Sequence, residues 1–151
     1  MAMQIILDTN SKSAGSPTNL QIGYFFFRVL VGVNLFFHGF MRVLTGVSAW
    51  EIPQAVTFTD TFLPMPLVHL SLYSIPYIEV ALGALIILGL FTRWALIGGL
   101  TLMLMLLFGH LVRQNWSGAH TIMHYGLYYW ILLALLGQSW MALDNRRTTD
   151  P

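Results

Sequence analysis

Val68–Phe91, VHLSLYSIPYIEVALGALIILGLF, is an apolar run with a single charged side chain, Glu79. About 20 helical residues cross the hydrocarbon core of a bilayer, so the run is long enough to span one. A carboxylate at that depth costs about 3 kcal/mol or more unless it is paired, protonated or wetted, and it marks a functional or structural polar site.

The whole chain agrees with this reading. Of its 151 residues 56% are hydrophobic, 14% aromatic and only 9% charged, against about 25% charged in soluble domains. Mean hydropathy is +0.68. The length suits one domain. Seven basic and six acidic side chains leave a net charge of +1, which offers no basic surface for nucleic acid. The absence of cysteine excludes disulfides, thiolate metal sites, iron–sulfur ligation and cysteine nucleophiles. The mostly polar opening, MAMQIILDTNSKSAGSPTNL, holds only the short apolar patch Ile5–Leu7 and no signal-peptide core, so the first spanning helix serves as the insertion signal.

Four runs have spanning length, at about 22–44, 68–91, 94–112 and 120–143. The expected fold is an all-α, integral membrane four-helix bundle over 21–143, with polar tails at 1–20 and 144–151. Only Thr92 and Arg93 join the second and third runs, so these form a tight antiparallel hairpin; Asn115 and Gly118 mark the turn before the fourth. The long connection Thr45–Leu67, with SAWEIPQAV, FTDTFLPMPL and three prolines, suits short interfacial helices. Lys12, Arg93, Arg146 and Arg147 share one side of the bundle, against Arg42 and Arg113 on the other. That bias places both termini in the cytoplasm, the connection outside it, and the chain in the inner (cytoplasmic) membrane.

This topology gathers His38, His69, His110, His120 and His124 toward the outer half of the bundle. At about 1.5 Å per residue, Glu79 and Asn34 share a depth near the midplane. Arg28 then lies about 7 Å to the cytoplasmic side and His38 a similar distance outward. In the first helix Arg28, Val31, Gly32, Leu35, His38, Gly39 and Arg42 recur at steps of three and four, a stripe that faces the bundle interior. Glu79 can be a structural ion pair with Arg28 or Arg93, a protonated hydrogen-bonding carboxyl, or a proton-handling group. Arg28 and Arg42 can also snorkel to the interfaces. His120 and His124, four residues apart with His110 across a short turn, form a weak metal site; a haem held by His38 and a later histidine is a further option. Gly83, Ala84, Gly89, Gly98 and Gly99 allow close helix approach. Tyr125, Tyr128, Tyr129 and Trp130 provide packing or an aromatic wall for a flat ring.

Two stretches in this order carry a resemblance. Helix one reads Arg28-VLVGVNLFF-His38-Gly39-FM-Arg42, and helix two reads Glu79-VAL-Gly83-ALIIL-Gly89-LF-Thr92-Arg93. Together they resemble the DoxX/DoxD family of small four-helix membrane proteins over about 22–140. The first matches an opening arginine and an "HG..K" pattern with Arg42 in the lysine's place; the second matches "E..gG..l..G..tr". The family includes the membrane subunit of a thiosulfate:quinone oxidoreductase, and some relatives are linked to redox or oxidative-stress systems.

What the resemblance implies is an integral membrane subunit of a quinone-linked redox system. In that reading Glu79 and His38 exchange protons with a quinone-like head group and Arg28 sets the charge of Glu79. Asn34, Arg42 and Arg93 are further binding candidates, and the electron donor sits on a membrane or membrane-attached redox partner. A non-catalytic accessory subunit of a larger complex, packed against lipid, is the alternative. A haem or metal protein using His110, His120 and His124 is the weaker one.

Overall fold

The computed structural model describes residues 16–139 and 141–144. Lys12, Arg146 and Arg147, the Ile5–Leu7 patch and most of both tails lie outside the described residues. The described chain is helical, without a strand: α1 (Asn19–Thr45), α2 (Val47–Val56), α3 (Met65–Leu88), α4 (Thr92–Val112), α5 (Trp116–Ala134) and a 3-10 turn at Leu136–Gln138. α1, α3 and α4 are long and apolar enough to cross a membrane. The surface is correspondingly apolar: Phe26, Leu30, Leu104, Trp94 and Trp130 are all exposed. A solvated protein does not tolerate a continuous apolar exterior of this kind, whereas lipid requires one.

Local chemistry sets the helix ends. Thr18 starts α1 through a capping box, its hydroxyl accepting from the Gln21 N–H at 3.2 Å while the Gln21 side chain accepts from the Thr18 N–H at 2.9 Å. Pro64 and Pro66 open α3, where a missing N–H costs nothing. Gly89, at φ 67°, closes it with the Leu90 N–H returned to the Leu85 carbonyl at 3.0 Å. The link between α3 and α4 is therefore Gly89–Phe91 rather than Thr92–Arg93, because this cap stops α3 three residues early.

The largest departure from expectation concerns the fourth run. α5 begins at Trp116 and ends at Ala134, nine residues short of 143. The residues after it fold back across the α3–α4 link. Asp144 accepts from the N–H groups of Phe91 and Thr92 and from the Thr92 hydroxyl, each at 2.8 Å. Its own N–H donates to the Gly89 carbonyl at 3.1 Å. The start of α4 is thus capped by a side chain about fifty residues away in sequence, and Phe91, at φ 47°, is held in a left-handed conformation that costs about 1 kcal/mol or more.

α1 packs most extensively against α3, and α4 against α5. Small residues permit the first crossing. A Cβ on Gly83 would lie 2.5 Å from the Phe36 nitrogen, and one on Gly32 would lie 2.9 Å from the Ile87 side chain. Gly98 receives Leu82 of α3, whereas Gly99 receives the Tyr129 ring of α5. By contrast α1 and α5 barely touch, and that gap positions the candidate site.

Candidate functional site

Glu79 is 3% exposed and accepts a hydrogen bond from Arg42 Nη1 at 2.7 Å. Three features of the sequence make this meeting possible. Gly39 sits one turn before Arg42, and a Cβ there would run into the Pro76 carbonyl oxygen and come within 2.8 Å of Glu79 Cβ. Pro76, buried inside α3, contributes no N–H to its helix, which loosens α3 one turn before Glu79. Trp50 of α2 lies under the Arg42 guanidinium, 4.3 Å from ring centroid to Cζ, within cation–π range.

The pair stands where two cavities meet. The first, of about 460 Å³, opens in the gap between α1 and α5. Tyr125, Tyr128 and Tyr129 wall one side; Asn34 and His38 line α1 opposite them, with Glu79 and Arg42 also in the lining. The second cavity, of about 430 Å³, lies beneath α2 and shares Arg42 and Glu79 with the first. It continues past Ser71 to Gln54, His110 and Arg113.

Arg113 closes that end. Its Nη1 donates to Thr57 Oγ1 at 2.8 Å and its Nε to the Gly109 carbonyl at 3.2 Å, and the guanidinium lies 4.6 Å from the Phe58 ring centroid. Burial pulls its pKa below the usual arginine value, yet the group stays cationic. Glu51, buried on α2, pairs with His69 at the start of α3.

Several sequence expectations change here. Arg28 does not pair with Glu79, and neither does the exposed Arg93; the partner is Arg42. Arg28 is 1% exposed and its Nη2 donates to the Met141 carbonyl at 2.6 Å, next to the Asp144 carboxylate. The reason is register. Gly32 meets Ile86 and Ile87, Phe36 meets Gly83, and Gly39 meets Glu79, so Glu79 lies level with Gly39 rather than with Asn34. That shift carries Arg28 to the level of Gly89, out of reach of Glu79.

The three histidines read as a weak metal set do not converge, and among the described residues no group of three such ligands does. His120 and His124 are exposed and stack edge to face at 4.4 Å, with His124 Nδ1 donating to the His120 carbonyl at 2.8 Å. His110 turns instead toward Arg113 Nη2 at 3.2 Å, in space that a side chain on Gly118 would fill. Sequence reasoning missed Trp50 and Asp144. A tryptophan among other aromatics in a connection and an aspartate in a polar tail carry no spacing signal.

The residues that carry the two sequence motifs are those of this crossing: Gly39, Arg42, Glu79 and Gly83 make it, while Gly89 and Thr92 form the capped link below. No curated protein and no solved structure matches the chain significantly. A family model does: DoxX, over residues 23–111. That match takes in more than half of the chain and every motif residue from Arg28 to Arg93, and the chain belongs to the DoxX family of membrane proteins.

Proposed function

We propose that this protein is a four-helix, multi-pass subunit of a quinone-linked redox system in the cytoplasmic membrane. In this reading both termini are cytoplasmic, α2 lies at the opposite face, and the cleft between α1 and α5 takes the head group of a quinone-like molecule. The observation that carries the reading is the composition and place of that cleft. It is about 460 Å³, a volume within the range of small-molecule sites, which are mostly apolar with a few placed polar groups. Its opening lies between two helices with lipid-facing surfaces, the side from which a membrane-dissolved ligand arrives.

The residues fit such a ligand. Tyr125, Tyr128 and Tyr129 offer rings for a flat head group. Arg42 has guanidinium N–H groups beyond the one given to Glu79, and these suit a carbonyl oxygen. Glu79 supplies a carboxyl at the inner end of the cleft, held there by its hydrogen bond from Arg42. His38, exposed at the mouth, is within the same lining and can exchange a proton with the ligand's second oxygen. A quinone, when bound, carries two electrons and two protons. In this reading a redox partner protein supplies or accepts those electrons.

Equilibrium binding of decylubiquinone to the detergent-purified protein tests the reading. Glu79→Gln and Arg42→Gln should each weaken binding, and Arg93→Gln, on an exposed side chain away from the cleft, should not. Equal binding in all three variants would remove the assignment. An accessory role in a larger complex, without ring binding, predicts that equality.

A further inference from the structure

A ring ligand in the α1–α5 cleft leaves the second cavity unused. Yet that cavity reaches the same carboxylate from the opposite side, and its polar groups form a series. Glu79 and Arg42 stand at one end, Ser71 two turns along α3, and Gln54, His110 and Arg113 toward the α2 end. Arg113 spends its donors on Gly109, Gln54, Thr57 and His110, but an apolar occupant would strand the Ser71 hydroxyl, the Gln54 amide N–H groups and the Glu79 oxygen that Arg42 does not bind, which is costly. Water would not. At about 30 Å³ per molecule, the cavity has room for on the order of ten waters.

We propose that the cavity beneath α2 is an aqueous port through which the Glu79 carboxylate exchanges protons with the water at the α2 end. The port is separate from the cleft that opens toward lipid. The step is a simple transfer: a hydronium proton passes to the carboxylate, leaving water and a neutral carboxyl, and the reverse returns it. The use made of that proton rests on the quinone reading, whereas the port itself does not.

The groups around the carboxylate fit this role. Arg42 of α1 donates to it; His38 of α1 and Tyr125, Tyr128 and Tyr129 of α5 line the lipid-side cleft with it, while Trp50 and Gln54 of α2 and, at the far end, His110 and Arg113 line the port. Arg113 donates into His110 Nδ1, which leaves the neutral ring's Nε2–H as its donor toward water. Arg42, lying between Trp50 and Glu79, borders both cavities. It keeps the carboxylate between a wet side and a lipid side.

The chain has no cysteine, so single-cysteine variants of the full protein in liposomes report access directly. Ser71→Cys should react with a charged, membrane-impermeant methanethiosulfonate applied at one face only. Leu30→Cys, in the cleft lining, should resist that reagent and react with a lipid-soluble N-alkylmaleimide. A Ser71→Cys that reacts only with the lipid-soluble reagent, or with neither, would overturn the port.

A second measurement addresses Glu79 itself. A water-soluble carbodiimide should modify it, as read by peptide mass. Ser71→Trp should abolish most of that modification while decylubiquinone binding persists; unchanged modification would count against the port. The two readings fail separately. A reactive Ser71→Cys without decylubiquinone binding keeps the port and removes the quinone, and the converse removes the port alone.

Discussion

Arg42 and Glu79 meet at 2.7 Å because Gly39 has no side chain to hold their helices apart. Everything proposed for the cleft depends on that contact. It sets the carboxylate level with Gly39, brings Arg42 under the control of Trp50, and leaves both groups bordering two cavities.

Gly39→Ala should therefore destabilise the protein through the α1–α3 crossing. Overpacking of a tight contact costs about 1–3 kcal/mol, and here the obstacles are the backbone carbonyl of Pro76 and the Cβ of Glu79. Gly23→Ala is the control, since nothing lies within 4 Å of a Cβ there. Thermal unfolding in one detergent should show a lowered Tm for the first and an unchanged or raised Tm for the second. Equal midpoints would contradict the crossing.

The ion pair should behave as a unit. Removing one partner of a fully buried pair costs about 3–5 kcal/mol because the other is left uncompensated, whereas replacing both with apolar groups is often neutral. With Glu79 buried and Arg42 partly exposed, the loss of Arg42 falls toward that range and the loss of Glu79 below it. Arg42→Met and Glu79→Met should each lower stability, the first more strongly, and the double variant should recover most of the loss. Additive losses in the double-mutant cycle would mean that the two side chains do not interact.

Trp50 positions Arg42 through the face of its ring. Trp50→Ala should cost about 0.5–2 kcal/mol through the lost cation–π contact and weaken decylubiquinone binding. Trp50→Phe should restore part of both, because a smaller ring still offers its face. Binding that survives Trp50→Ala intact would show that Arg42 holds its place without α2.

The Asp144 cap predicts a local effect far from the cleft. Asp144→Ala should cost about 0.5–2 kcal/mol, as loss of a helix cap does, and should speed hydrogen exchange at the Phe91 and Thr92 amides. Asp144→Asn, which keeps one acceptor oxygen, should fall between. Unchanged exchange at those amides would remove the cap.

Much of the fold was legible because lipid imposes a simple pattern. Long apolar runs act through neighbouring residues, and Glu79 stood out for the same reason, as the one charge in such a run. Gly89 as a helix stop and Pro64 and Pro66 as a helix start are local signals too, but the reading of 68–91 as one unbroken run passed over both. The partner of Glu79 was not legible. Choosing among Arg28, Arg42 and Arg93 requires the register between α1 and α3, which is fixed by Gly32, Gly39 and Gly83 pressing on backbone rather than by any spacing along one helix. Equal-depth reckoning from run ends missed by about five residues for that reason. The early end of α5 escaped notice likewise, because its tail is held by Arg28 and by the α4 amides, both remote in sequence.

The central claim is that a flat, lipid-borne head group occupies the cleft beside Arg42 and Glu79. A photoreactive azidoquinone with a short alkyl chain tests it most directly, with adducts mapped by peptide mass spectrometry. The account predicts adducts on the Tyr125–Tyr129 stretch and on residues 34–42, suppressed by excess decylubiquinone and by Glu79→Gln. Adducts confined to outward apolar side chains such as Phe26 and Trp94, indifferent to both, would contradict it.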